Sequence, residues 1–518
     1  MWISNCLSHL VDFDRRDIGL VVLVLAALTL YLAFLSRSFD EGDVFNFALA
    51  LVRYDVSAHQ PHPPGYPVFV FIASIPYFVT NNQLLSLTLV SALSGALTLI
   101  PTYAIANRLF NRETAFFSAL ALMVVPGFWL VSEQGLSDML AMLFLTLAIS
   151  QLLVGNLKQS RVHLYTSWAI LGIAMGVRPF NFVFIAPFLF ETVRVTKRVR
   201  DHAVCLMLLL GTFCLSLFPA IILTGYNQYV TAVFFQLTGH LRDEVHPFGL
   251  SALDRFVFLL LTLAREFGAN LPVHILSFSP YQSGSLFAHL NFVLILLMSG
   301  FSLILLRRVK DFSKVIFILL WIIPYFAFVY LLGNPGYPRY MLPIIPPILI
   351  VLIASALRVS RSVGSCARSS KAMFGHVRVV ARYLIVLLFI ASVFVYSLPL
   401  AVTLHTQLPP NVQLVAFVRS NYDPTTTTVI VFHEFRAFQF FGSEFRYVHC
   451  CHEPEKAMAV LKSSFRLSDS VLITGTALVA LRNLGLTVNV LRVAEFFRSQ
   501  LVKSEDSEAV LYRVTALG

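Results

Sequence analysis

The sequence predicts a polytopic α-helical membrane protein that ends in a small soluble α/β domain. Three observations predict it. Of the 518 residues, 57% are hydrophobic and only 13% are charged, against roughly 25% charged in soluble domains. Apolar runs of about 18 or more residues recur through the first ~400 positions. From about His405 the runs shorten and become β-rich. In lipid only helices and closed barrels satisfy every backbone hydrogen bond, and these runs lack the alternation of barrel strands.

The elements follow in chain order. Arg15 and Arg16 precede the first run, Ile18 to Leu35. That run is too long for a signal-peptide core and no small-residue cleavage site follows it, so it crosses outward from a cytoplasmic N-terminus. Gly65 to Val79 is short and contains Pro67 and Pro76. Counting it as a span would put Arg108, Arg112, Lys158, Arg161 and the run RVTKRVR from Arg194 to Arg200 outside. An interfacial or re-entrant helix there keeps them all inside. Spans then fall near 84–106, 114–131, 139–154, 164–177, 179–193 and 203–223. The stretch 254–276 carries Arg265, Glu266 and Pro272 and is also interfacial. Further spans lie near 287–306, 315–332, 341–357 and 383–403. Arg307, Arg308, Lys310 and the basic loop 358–382 are inside, and the C-terminus is outside. About eleven crossings result, as expected of a multi-pass plasma or inner membrane protein.

Residues 1–404 thus form a transmembrane domain and residues 405–518 an extracytoplasmic α/β domain. In the latter, TTVIVFH, VLITGT, VNVLRV and AVLYRV read as strands, with amphipathic helical stretches between them. Six cysteines imply no disulfide framework, and Cys205 and Cys214 sit in one apolar run, where core cysteines belong. The formal net charge of +11 reflects cytoplasmic hinges rather than a nucleic-acid partner.

This topology gathers unusual residues on the outer face. Asp40, Glu41 and Asp43 come directly after the first span, followed by His59 and His62 in QPHPPGYP. Glu133 and Asp138 lie in SEQGLSDML, and Arg178 lies in GVRPFN. His240, Arg242, Asp243, Glu244 and His246 lie in GHLRDEVHPFG, and Arg339 and Tyr340 lie in GNPGYPRYMLP. Acids and histidines just beyond a span are often only solvated loop residues. Arg178 stands apart, because it interrupts about 30 mostly apolar residues, where a charge is costly. Acids and arginines at one membrane face suit a charged lipid headgroup: the acids activate an acceptor and the arginines hold a phosphate.

The first of these loops resembles a known family. An acid followed by an aromatic residue and Ala at helical spacing (Asp43, Phe47, Ala48), then QPHPPGYP, is similar to the first outer loop of the GT-C membrane glycosyltransferases. The resemblance points to the dolichyl-phosphate-mannose protein mannosyltransferases and their bacterial relatives, including the aminoarabinose transferase that modifies lipid A. NRLFNRETAFFSALALMVVPGFWLVSEQGLSDMLAMLFLTLAI resembles the family's basic hinge, outward span and second acidic loop, and PRYMLPIIPPILI resembles its late Arg-Tyr-x-Leu-Pro element. The likeness covers most of residues 15–405. It implies a GT-C-like fold with juxtamembrane helices in the first outer loop. It also implies transfer of a hexosyl or pentosyl group from a polyprenyl-phosphate carrier to a lipid, glycan or protein acceptor, with a loop-one acid as base. Asp43 fits that role best by its spacing to Phe47 and Ala48. The family usually shows an Asp-Glu pair at that point, whereas Asp43 precedes Val44 and the pair Asp40-Glu41 lies three residues earlier.

The chemistry has its own logic. A hydroxyl is a poor nucleophile at neutral pH, so a carboxylate within hydrogen-bond reach must take its proton as it attacks the anomeric carbon. The leaving phosphate needs cations, which Arg339, and next Arg178, can supply. Attack opposite the phosphate inverts the anomeric centre. Neither a cofactor nor a metal is required. His433, Glu434, His449, Cys450, Cys451 and His452 could ligate zinc, but their spacing matches no standard site. Two other classes compete. A glycolipid transporter or flippase should carry charges at mid-membrane and show paired halves, which the sequence lacks. A non-catalytic scaffold leaves the acids of loop one without a purpose.

Overall fold

A computed structural model describes residues 18–239, 251–269, 286–307, 312–333, 337–366, 375–450, 457–459, 461, 470–483, 485, 488–498 and 508–517. The chain is mostly helical through Thr406 and then forms a small sheet packed with short helices. Among the described residues six helices are long and apolar enough to cross a membrane, and a bent pair makes a seventh. The eleven runs read from the sequence are thus not all long helices. Ile18–Ala33 and Arg161–Val177 are shorter, and 179–193 is split into a 3-10 turn, Pro179–Phe184, and a helix, Ile185–Val195. Pro67–Thr80 is a 14-residue helix, too short to span upright. Ala252–Glu266 is amphipathic, with Arg255, Leu259, Thr262 and Glu266 buried along one side.

Local chemistry sets the joints. Asn82 and Asn111 cap the helices Gln83–Leu109 and Arg112–Val124 by accepting from the Leu85 and Thr114 amides at 3.0 Å. After Val124 the chain bends by 57° into Pro126–Glu133. Pro126 lacks the N–H that a continuous helix needs, yet suits a first helical turn. Gly172 and Gly176, one turn apart, let Arg161–Val177 press on Val199–Thr224. A Cβ on Gly172 would lie 2.4 Å from the Leu209 carbonyl oxygen, and one on Gly176 would lie 2.2 Å from the Ser216 Cβ. Small residues at such positions bring helix backbones close, and that contact replaces the hydrophobic drive that lipid removes.

The sheet has the order β2-β1-β3-β5-β4, from Thr427–Val431 (β1), Arg446–His449 (β2), Ser470–Thr474 (β3), Val488–Phe497 (β4) and Glu508–Leu517 (β5). β1 pairs parallel with β2 and β3, with Val429 opposite Tyr447 and Leu472. β5 runs antiparallel to β3 and β4. The four strands expected from the sequence are β1, β3, β4 and β5. RYVH, the edge strand β2, is too short to announce itself. Both faces are covered at the central strands β1 and β3, which explains their unbroken apolar runs. Ile430, Val471 and Ile473 face one core, while Val429, Val431 and Leu472 join the core shared with the helices. Phe39 and Phe45 stack at 4.7 Å, and Phe440 meets Phe39 at 4.6 Å, so an aromatic cluster ties the first loop to the sheet part.

Candidate active site

Loop one supplies the acids from two kinds of backbone. Asp43 lies in the first turn of the helix Gly42–Val52, where a carboxylate complements the helix dipole. Asp40 and Glu41 lie just before it, with Glu41 extended at φ −136°. Phe47, one turn after Asp43, is buried against His62, Tyr66 and Phe69 at centroid distances of 5.5, 5.2 and 4.9 Å. The loop QPHPPGYP is pinned from outside itself. Tyr54 donates to the Gly65 carbonyl at 2.8 Å and Tyr229 to that of Pro64 at 3.0 Å. Gly65 has φ +106° and a Cβ there would lie 2.8 Å from Val56, so only glycine fits. This pinned loop brings His62 Nδ1 to 3.5 Å from Asp43.

The partners come from distant segments. Arg339, in the 3-10 turn Pro338–Ile344, donates from Nη2 to Asp43 Oδ2 at 2.7 Å and holds Nη1 at 2.9 Å from Glu41. Its guanidinium lies over the Tyr337 ring, 4.0 Å from Asp138. Asp138 also pairs directly with Arg178, which lies over the ring of Tyr340. Arg339 is 10% exposed, and its Nε and Nη1 make no hydrogen bond among the described residues. The cluster therefore links Glu41, Asp43, Asp138, Arg178 and Arg339 in one network of carboxylates and forked cations.

This network borders two cavities. The larger, about 370 Å³, is walled by loop one (Asp40 to Asp43), by Arg339, by Glu266, and by His433, Arg436 and Arg498 of the sheet part. The smaller, about 20 Å³, lies among Asp138, Arg178, Tyr325, Arg339 and Tyr340. Burial acts to raise the Asp43 pKa, but the positive charges of His62, Arg339 and Arg178 outweigh it and hold the carboxyl well below the ordinary range. Burial lowers the His62 pKa, against the opposing pull of Asp43. Glu266 behaves in the opposite way to Asp43. Burial pushes it up to about 7, with Arg265 only partly offsetting. Its carboxyl rests on Gly127, where a Cβ would fall 1.8 Å from Oε2.

The other candidates have different surroundings. Asp40 accepts from Arg498 Nη1 at 2.6 Å and from the Ser36 hydroxyl, and Arg498 also donates to the Leu404 carbonyl at 2.9 Å. This buried pair joins loop one to the end of β4. Glu133 accepts from the Trp129 indole and is fully buried, outside both cavity walls. His59 ends the turn Val56–Ala58 with φ +56°, also outside both walls. His240, Arg242, Asp243, Glu244 and His246 lie outside the described residues. So do Cys451 and His452. Glu434 accepts from Thr474 and Thr476 at 2.7 Å, and among the described residues no three His, Cys, Asp or Glu side chains group as for a metal.

Sequence reasoning missed Arg498 and Arg436 and gave Glu266 no part in the site. Arg498 meets an acid 458 positions away, and no local pattern marks it. Arg265 and Glu266 had a signal, as charges closing an amphipathic helix.

Comparisons with known proteins bear on the fold. Residues 61–223 match the family described as dolichyl-phosphate-mannose-protein mannosyltransferase. That segment begins in the proline-rich loop, after the loop-one acids, and ends before Arg339. No curated protein matches the chain in sequence. Two similar solved structures are of ArnT from Cupriavidus metallidurans. The apo form has a TM-score of 0.59 at 14% identity, over 96% of this chain and 98% of that one. The form bound to undecaprenyl phosphate has a TM-score of 0.57 at the same identity and coverage. The apo oligosaccharyltransferase of Archaeoglobus fulgidus has a TM-score of 0.56 at 14% identity, over 89% of this chain and 69% of that one. The chain thus has the GT-C fold and resembles the dolichyl-phosphate-mannose protein mannosyltransferase and ArnT-like family.

Proposed function

We propose that this chain is an integral membrane glycosyltransferase that moves a sugar from a polyprenyl-phosphate carrier to an acceptor hydroxyl, with inversion. The observation that carries this reading is the pair Asp43–Arg339, at 2.7 Å on the wall of the large cavity. One partner is suited to take a proton and the other to hold a phosphate. The similar ArnT structure bound to undecaprenyl phosphate supports the carrier chemistry.

In this mechanism the Asp43 carboxylate takes the acceptor proton as the acceptor oxygen bonds to the anomeric carbon. The bond from that carbon to the carrier phosphate breaks, and its electron pair stays on the phosphate. Arg339 meets the growing negative charge with two parallel N–H donors. Arg178 acts through Asp138, which holds both arginines in place. Before donor binds, Glu41 and Asp43 occupy Arg339. A phosphate arriving at Arg339 draws off part of the positive field on Asp43 and raises its basicity. We assign Asp40 to the joint with the sheet part rather than to proton transfer. The domain boundary falls at the end of the helix Gly375–Thr406, and the cavity side faces outward.

The test is transfer from a panel of labelled polyprenyl-phosphate sugars in membranes containing the chain. Asp43→Asn keeps the size and removes the proton acceptor, so a loss of more than about a hundredfold is expected. An inactive Glu41→Gln beside an active Asp43→Asn reassigns the base. No transfer from any carrier-linked sugar, with carrier binding intact, overturns the enzyme in favour of a glycolipid transporter.

A further inference from the structure

Three of the arginines around the cavities have carboxylate partners. Arg339 holds Glu41 and Asp43, Arg178 holds Asp138, and Arg498 holds Asp40. Arg436 does not fit this pattern. It lies at the start of the helix Phe435–Phe441 in the sheet part and lines the large cavity. Its Nη1 donates to the Gln439 side-chain oxygen, and its guanidinium lies 5.5 Å from the Phe435 ring centroid. Both contacts orient the guanidinium, and neither cancels its charge. Among the described residues no carboxylate pairs with it. Burial lowers its pKa below the ordinary arginine value, with Tyr447 partly opposing. Its positive charge reaches across to His62 in loop one.

A partly buried cation without a counter-charge is costly unless something negative meets it. The rigid fork of arginine suits an oxyanion better than a solvated surface role. We propose that Arg436 forms a second anion subsite in the cavity, which binds a phosphate or carboxylate group of the acceptor. This subsite is separate from the carrier phosphate at Arg339, and the inference rests on reading the cavity as the transfer site. In the proposed mechanism the carrier brings one phosphate next to its sugar, and Arg339 accounts for it. The sheet part then serves to select acceptors that carry a negative charge beside the accepting hydroxyl.

The experiment uses the full chain in neutral phosphatidylcholine nanodiscs. Inorganic phosphate is the probe for the new subsite, methyl phosphate and acetate test its chemistry, and undecaprenyl phosphate is the probe for the carrier site. Wild-type protein saturated with undecaprenyl phosphate should still bind inorganic phosphate by calorimetry. Arg436→Gln should weaken that binding about tenfold or more, the cost of a lost charge-assisted pair. It should leave undecaprenyl phosphate binding unchanged, which also reports that the variant is folded. Arg436→Lys should fall between the two. Displacement of inorganic phosphate by undecaprenyl phosphate in the wild type would assign Arg436 to the carrier site and overturn the proposal, without relying on any variant. Equal binding of inorganic phosphate by Arg436→Gln and wild type would overturn it as well. Failure of the transfer assay with these anion results intact would remove the enzymatic reading alone.

Discussion

Asp43 and Arg339 lie 296 positions apart and meet through a 2.7 Å charge-assisted hydrogen bond, with Glu41 on the same guanidinium. The pair sets the pH behaviour of the free protein. A base must be ionised, so activity falls as pH drops through its pKa. With Arg339 in place that fall lies well below the ordinary carboxylate range. Arg339→Ala should move the acid limb of kcat/KM upward by about 1–3 units and also weaken donor use. Arg339→Lys should weaken donor use less, because it keeps the charge and loses the fork. An unmoved acid limb and unchanged donor dependence in Arg339→Ala would remove Arg339 from the site.

The joint between loop one and the sheet part rests on Asp40 and Arg498, 2.6 Å apart and both nearly inaccessible. Removing one partner strands the other as a buried charge. Arg498→Ala should therefore cost about 3–5 kcal/mol and lower the melting temperature in detergent. The double change Arg498→Met with Asp40→Leu should recover part of that loss, because it strands no charge.

Glu266 gives stability a pH dependence. Its folded pKa is raised to about 7, so burial favours the neutral acid. Its contribution is complete below the ordinary carboxylate pKa and is lost as pH rises through about 7. Glu266→Gln should flatten the fall in melting temperature between acid and alkaline pH. An identical pH profile in the variant would show that the carboxyl titrates normally.

Helix packing offers a paired test. Gly172→Ala forces a methyl against the Leu209 carbonyl, whereas a Cβ at Gly211 meets nothing within 4 Å. Gly172→Ala should cost about 1–3 kcal/mol. Gly211→Ala should be neutral or stabilising by about 0.4–1 kcal/mol. Equal melting temperatures would contradict the close contact of these two helices.

Orientation is testable without chemistry. A cysteine placed in the basic stretch 358–382, which takes in the end of the helix Ile345–Cys366 and the start of the helix Gly375–Thr406, should resist impermeant thiol reagents applied from outside, and one near position 460 should react. Labelling of this stretch from outside would invert the proposed topology.

Much of the architecture follows from local pattern. Long apolar runs dictate helices because lipid leaves no other hydrogen-bond partner for the backbone. Alternating and β-branched runs mark β1, β3, β4 and β5. Asp43 and Phe47 stand one helical turn apart, and the proline-rich loop follows them, all within 30 residues from Asp40 to Phe69. The tertiary structure alone decided which charges meet. Asp40 and Asp43 are three residues apart, yet one pairs with Arg498 at the end of β4 and the other with Arg339 at a helix break. Glu266 gained its place because Gly127 leaves room for its carboxyl. Such pairings depend on how distant helices and the sheet stack. Local periodicity constrains only the residues within a few positions of each other, so it could mark these side chains as costly but could not match them.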